Sequence, residues 1–305
     1  MKGKNQKGKK STIFKIFLIP LIAIMLIQSM ITIGTLIVRR TGETLEAYSG
    51  RMMNRLVENR GVILQNDMNQ RWASVRGQEA SIDETLKRFL NSNGAGLEEV
   101  LASPKLREGL LGQLFPGCLD FLQSSSTTGI FLVLTEEGME EGGDYDGFFI
   151  RDSDPNTNPA NYTDLLLERG SKLLSREWGI PLDTNWTTHF HLDGHGQNES
   201  DGFIYEPWQA GRAYPDADTE DLGYWALPFS LEKGMADSYE MITYSFPLRW
   251  GEQVYGVLGI EISGRYLNDY FPIEELNGSQ QSGYMLAVKD EGERYIHLVG
   301  KGILY

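Results

Sequence analysis

The chain has 305 residues, 41% hydrophobic and 23% charged, enough for one or two globular units with a real core. Its formal net charge is -14, and residues 1–40 hold eight of the 28 basic residues and no Asp or Glu, leaving 20 basic against 42 acidic residues in the rest. A body this acidic repels phosphate backbones, which argues against nucleic acid as a partner. The single cysteine, Cys118, has no partner for an internal disulfide and reads as a small core residue.

Residues 16–38, "IFLIPLIAIMLIQSMITIGTLIV", contain no charge. As a helix rising 1.5 Å per residue, such a stretch spans a hydrocarbon core of about 30 Å with some tilt. It is longer than the apolar core of a cleaved signal peptide and lacks the small-residue exit, so a retained transmembrane helix is expected. Lys2, Lys4, Lys7, Lys9, Lys10 and Lys15 precede it, and Arg39, Arg40, Arg51 and Arg55 follow. The lysine side outweighs the arginine side, which predicts a cytoplasmic tail (1–15), a cell-membrane location and an extracellular body.

Leu45, Tyr48, Met52, Leu56, Ile63, Met68, Trp72 and Val75 then recur at helical spacing, predicting a stalk helix over 39–91 with one core-facing stripe. Gly50 and Gly61 weaken it, so it should lean on a partner helix or a domain, and a homodimer is expected. Short helices broken at Pro104 and Pro116 follow. Strands are expected at 129–135 and 147–151, a helix at 162–178, and strands at 203–207 and 224–230. A hairpin at 244–262, "YSFPLRWGEQVYGVLGIEI", turns at Gly251. Its glycines Gly256 and Gly259 predict close approach of another backbone or of a ligand. A short helix at 264–271 and a second hairpin at 283–300, turning at "KDEGE", complete the pattern.

Helices followed by an antiparallel sheet of about five strands make an α+β layout. Residues 92–272 read as one module and 273–305 as the incomplete start of a smaller one.

At "ITYSFPLRWGEQVYGVLGIEIS" the chain resembles the double-Cache extracellular sensor domain of bacterial transmembrane receptors, as in sensor histidine kinases. "YEPWQAGRAY" and "LGYWALPF" resemble the pocket-lining segment that precedes this hairpin. The resemblance covers about residues 40–305. It implies a PAS-like membrane-distal module on a stalk helix, a proximal module, and a cytoplasmic output beyond. Two features depart from the amino-acid-binding members. Glu206 stands where an arginine two residues before the pocket tryptophan, Trp208, would grip a carboxylate, and Ser230 and Leu231 follow Phe229 where an aspartate would hold an amine. Glu206 and Glu261 then favour an amine, a cation or a neutral metabolite, with Trp208, Tyr224, Trp225 and Tyr244 offering aromatic walls. Arg151 and Asp152 are expected to face the same pocket, over the sheet face built by 203–230 and the first hairpin.

"HFHLDGHG" places His189, His191, Asp193 and His195 close together, but its Gly, Asp and Asn content reads as a polar loop rather than a metal site. Asp152, Asp154 and Asn156 have calcium-loop spacing, yet Thr157 replaces the required glycine and Thr163 the glutamate. No phosphate loop, nucleophile elbow or zinc-helix motif is present, so neither cofactor nor metal is expected. Three classes fit these features: a receptor's small-molecule sensor, a membrane-anchored metal-dependent hydrolase, and an anchored solute-binding or adhesive protein. The missing catalytic motifs and the stalk favour the sensor, with a histidine kinase output ranked before a diguanylate cyclase or chemoreceptor.

Overall fold

Helix α1 (Gly8–Asn93) carries both the uncharged stretch and the expected stalk. The computed structural model describes residues 8–125, 127–154, 161–231, 239–276, 283–289 and 292–302. Lys2, Lys4, Lys7, Asn156, Thr157 and part of the KDEGE turn lie outside them, as do the side chains of Leu45, Trp72 and Val75. The chain divides into two units, Met1–Ile63 and Leu64–Tyr305.

In the first unit, Leu21, Ile24, Met30, Leu36 and Val38 are exposed. Among the described residues one helix is long and apolar enough to cross a membrane. Tyr48, Met52 and Ile63, expected on a core-facing stripe, are exposed too. The helix instead buries its last turns, which belong to the second unit: Ile82, Leu86, Phe89 and Leu90. Fully burying a leucine or isoleucine side chain contributes about 1.5–3 kcal/mol.

The second unit continues with α2 (Leu97–Ala102) and α3 (Pro104–Ser125). Pro104 opens α3, where a missing N–H costs nothing. Pro116 lies inside α3 without ending it, correcting the expected break. Its neighbours Leu114, Phe115, Cys118 and Leu119 are all buried, and that packing outweighs the lost hydrogen bond.

Strands β1 (Gly129–Leu134), β2 (Gly143–Tyr145), β3 (Gly147–Asp152) and β4 (Leu165–Arg169) follow, then α4 (Lys172–Trp178), β5 (Leu182–Thr187) and β6 (Phe190–Leu192). The helix expected over 162–178 is therefore a strand and a helix. Gly170, at φ +128, separates them, and Ser171 caps α4 by accepting from the Leu173 N–H.

Next come α5 (Gly202–Ala213), β7 (Tyr224–Trp225), β8 (Met241–Trp250), β9 (Gln253–Ser263), α6 (Gly264–Asn268), β10 (Gly283–Lys289) and β11 (Tyr295–Gly302). The strand expected at 203–207 is corrected to helix α5. Phe203, Ile204, Pro207, Trp208 and Gly211 share its buried side, a helical rather than alternating spacing. Pro207 has no N–H for the Phe203 carbonyl four residues back, and Ser245 Oγ of β8 donates to that carbonyl at 2.6 Å.

The main sheet has seven strands rather than five, in the order β5-β4-β3-β1-β9-β8-β7, antiparallel except for β4–β5. This is the α+β architecture expected. One face packs on α2, α3 and the end of α1 through Leu132, Phe148, Phe246 and Leu258. The other packs on α5 through Phe131, Phe149, Val257 and Phe203. Tyr255 is an extra residue between the pairs Leu248–Gly256 and Arg249–Val254, a bulge that turns its ring toward α1 and α3. Gly259 exists for the Phe131 ring, which lies where a Cβ would stand, and Gly256 for the Val133 carbonyl at 2.9 Å. β10 and β11 pair with each other in a separate two-stranded sheet.

Candidate functional site

Register places four residues in a row across the α5-side face: Arg151 on β3, Gly129 on β1, Glu261 on β9 and Thr243 on β8. With the next row occupied by Phe149, Phe131 and Gly259, the charged row sits at the edge of an aromatic core. Tyr239, just before β8, and Arg265, Tyr266 and Asp269, in and after α6, complete a small cleft of about 90 Å³ with Thr128, Asp152 and Asp154.

Glu261 is fully buried. Thr128 Oγ1 donates to its Oε1 at 3.0 Å, while Oε2 has no hydrogen-bond partner. Burial pushes its carboxyl up to about 8; the Arg151 charge opposes that and Glu168 adds to it. Arg151 is held from two sides. Its Nη1 lies 3.3 Å from Glu168 Oε2 and 3.6 Å from Asp183 Oδ2, and its guanidinium stacks 4.1 Å over the Tyr239 ring. Glu168 is 2% exposed, and burial raises its carboxyl despite Arg151 and Arg169. Asp152 Oδ1 accepts from the Asp154 N–H at 2.9 Å, and burial pushes its carboxyl up to about 6. A desolvated guanidinium clamped on the Tyr239 face, beside a carboxyl that burial keeps neutral, can orient a small polar ligand. Acids outnumber cations around it.

The structure brings together Arg151, Asp152 and Glu261 of the eight residues singled out from sequence. Glu206 and Tyr224 line a different cavity of about 370 Å³ with His195, Phe229, Arg294 and Ile296, and Glu206 Oε1 lies 3.8 Å from His195 Nε2. Trp208 is buried on the sheet-facing side of α5, with the Arg212 guanidinium 4.6 Å over its ring. Trp225 is exposed and its ring lies 5.0 Å from Tyr244, which is buried on the opposite sheet face with Phe246. Sequence reasoning missed Thr128, Glu168, Asp183 and Tyr239. An acid flanked by apolar residues, as in "LLLERG", was the available signal for Glu168. His189 Nδ1 pairs with Asp146 and His191 Nδ1 with Asp144, at 2.9 and 2.8 Å. Among the described residues no three His, Cys, Asp or Glu side chains converge as a metal set.

No protein-family model matches the chain, and neither does any curated protein. Among solved structures it is similar to receptor sensory domains. These include the periplasmic sensory domain of the Campylobacter jejuni chemoreceptor Tlp1, at 11% identity and TM-score 0.39, covering 77% of this chain and 68% of that one. The extracellular domain of the putative histidine kinase soHK1S-Z6 matches at 13% identity and TM-score 0.32, covering 81% and 71%. The ligand-binding domain of the C. jejuni chemoreceptor Tlp3, in complex with L-valine, matches at 10% identity and TM-score 0.31, covering 78% and 71%. Likeness at this level is weak, and those proteins' ligands are their own.

Proposed function

We propose that this chain is the extracellular small-molecule sensor of a membrane-bound signalling receptor, with residues 92–272 as the ligand-binding module. The observation that carries the reading is the Arg151–Gly129–Glu261 row, a half-buried guanidinium and a fully buried carboxyl set side by side at the rim of an aromatic core. Natural cores rarely keep such groups without a use for them. Amines, cations or neutral polar molecules fit the cleft's acidic balance better than carboxylates. Binding there would bias the packing of α1 beneath the sheet, and through α1 the membrane segment, limited by the ligand's differential affinity for the two arrangements. The exposed apolar residues Tyr48, Met52, Val62 and Ile63 favour a second copy along this helix. The lysine-rich start favours an extracellular body, and a histidine kinase is the preferred output, with chemoreceptor and diguanylate cyclase as alternatives.

The test is a thermal-shift screen of the chain in nanodiscs against amines, amino acids and neutral metabolites. Stabilisation by an amine that is lost in Glu261→Gln, yet kept in Glu206→Gln and Trp208→Ala, supports this cleft. Stabilisation that survives Glu261→Gln and fails in Glu206→Gln moves the site to the larger cavity.

A further inference from the structure

A second cleft lies between α3 and α4, on the sheet face opposite Arg151, with a volume of about 360 Å³. Its floor is apolar: Leu111 of α3, Leu174 of α4 and Gly147 at the start of β3 are all buried. Leu111 and Leu174 belong to the same core as Phe89, near the end of α1. One wall carries a chain of polar groups. Arg107 of α3 donates to the Leu101 carbonyl, and its Nε donates to Asp146 Oδ2 at 2.6 Å. Asp146 Oδ1 lies 2.9 Å from His189 Nδ1, and the Asp146 carbonyl accepts from the Leu134 N–H at 2.8 Å. The His189 carbonyl is fixed in turn by the Thr187 hydroxyl at 2.7 Å.

An ionised carboxylate only accepts, so Asp146 places the proton of a neutral His189 ring on Nδ1. Nε2 is then an acceptor, on a ring that lines the cleft and is held from behind. Two other uses of such a ring fit poorly. No three metal-ligating side chains converge among the described residues, so the imidazole has no partners for an ion. The Ser171 hydroxyl is no nucleophile, because it donates to Glu108 Oε1 at 2.8 Å and caps α4 at the Leu173 N–H. Lys105 and Arg107 balance Glu108 and Asp146 in number, so the cleft favours a ligand without net charge.

We propose that this cleft binds a neutral, largely apolar small molecule with one hydroxyl or N–H group, which donates to His189 Nε2 while its body lies over Leu111, Gly147 and Leu174. An apolar floor with a few fixed polar groups is the usual form of a small-molecule site, and such sites start at about 300 Å³. Because the floor shares its core with the end of α1, occupancy is a second input to that helix. It does not depend on the Arg151 cleft, which opens on the other sheet face. Asp146 is a positioning residue in this site.

The experiment titrates the full chain in nanodiscs with indole, following isotopically labelled histidine rings by NMR at about pH 8, where an ordinary imidazole is neutral. The chain has four histidines, so each ring can be followed separately. Indole should shift the Nε2 signal of His189 saturably and leave His191, His195 and His297 in place. N-methylindole, the same body without the N–H, should bind about tenfold more weakly. No saturable shift at His189, a shift shared by all four rings, or equal affinity for the two probes overturns the proposal. Asp146→Ala should let the ring proton move to Nε2 and weaken indole about tenfold as well. Unchanged affinity in that variant also overturns it; should the variant fail to fold, the two probes on the wild-type chain decide.

Discussion

Glu261 on β9 covers Gly129, its register partner on β1, so closely that its Oε2 occupies the place a Cβ at 129 would take. The Phe149 ring closes the same space at 2.8 Å. Glycine at 129 is thus the condition for a buried acid at 261. Gly129→Ala should destabilise the fold by about 1–3 kcal/mol, the usual cost of overpacking a tight core. Thermal denaturation measures this, and a melting temperature equal to wild type would mean that the carboxyl does not sit over β1.

The same carboxyl predicts a pH dependence. Its value rises from 4.5 in the unfolded chain to about 8 in the fold, so between these values the unfolded state has released a proton that the folded state retains. Its contribution is complete below about pH 4.5 and is lost as pH rises through about 8. Glu261→Gln should therefore gain stability over wild type across that window, by on the order of 4 kcal/mol at its alkaline end. Paired urea titrations at several pH values check the sign; a variant that loses ground as pH rises would refute it.

Arg151 is the nearest cation to Glu168, whose Oε2 also accepts from the Tyr239 hydroxyl at 3.5 Å. Glu168 is 2% exposed, and its next cation, Arg169, lies 3.8 Å away. Arg151→Met should cost about 3 kcal/mol, because it strands a buried charge rather than because the pair itself is strong. The double change Arg151→Met with Glu168→Gln should recover more than half of that loss. Equal stabilities of the single and double variants would show that Glu168 does not depend on Arg151.

The strands were legible where Val, Ile and Phe cluster in short runs: β1, β3, β8 and β9 lie within three residues of their expected positions. Long-range effects were not legible. "FIYEP" is apolar and aromatic, which favours a strand, and only the extension to Trp208 and Gly211 reveals a helical stripe. "LLLERGSKLL" fits a helical period, and Gly170 was the sign that it divides there. For the candidate site, Arg151, Asp152 and Glu261 were accessible as charges at strand ends. Tyr239, Glu168 and Asp183 join them through sheet register and tertiary approach, which no local spacing encodes. The aromatics Trp208 and Tyr244 carry no mark in the sequence of which sheet face each will occupy.

The helix that was misread also yields the last prediction. Pro207 leaves the Phe203 carbonyl without its helical donor, and Ser245 Oγ, buried on β8, takes that place at 2.6 Å. Ser245→Ala should therefore cost more than a routine buried hydroxyl, about 1–3 kcal/mol, since it leaves a backbone carbonyl unpaired. Pro207→Ala restores an N–H to that carbonyl within α5. In its background Ser245→Ala should become markedly cheaper, giving a coupling energy of about 1 kcal/mol between two residues on different elements. A double-mutant cycle by urea denaturation measures it. Strict additivity would mean that Ser245 anchors α5 through packing alone, and that the carbonyl finds another donor.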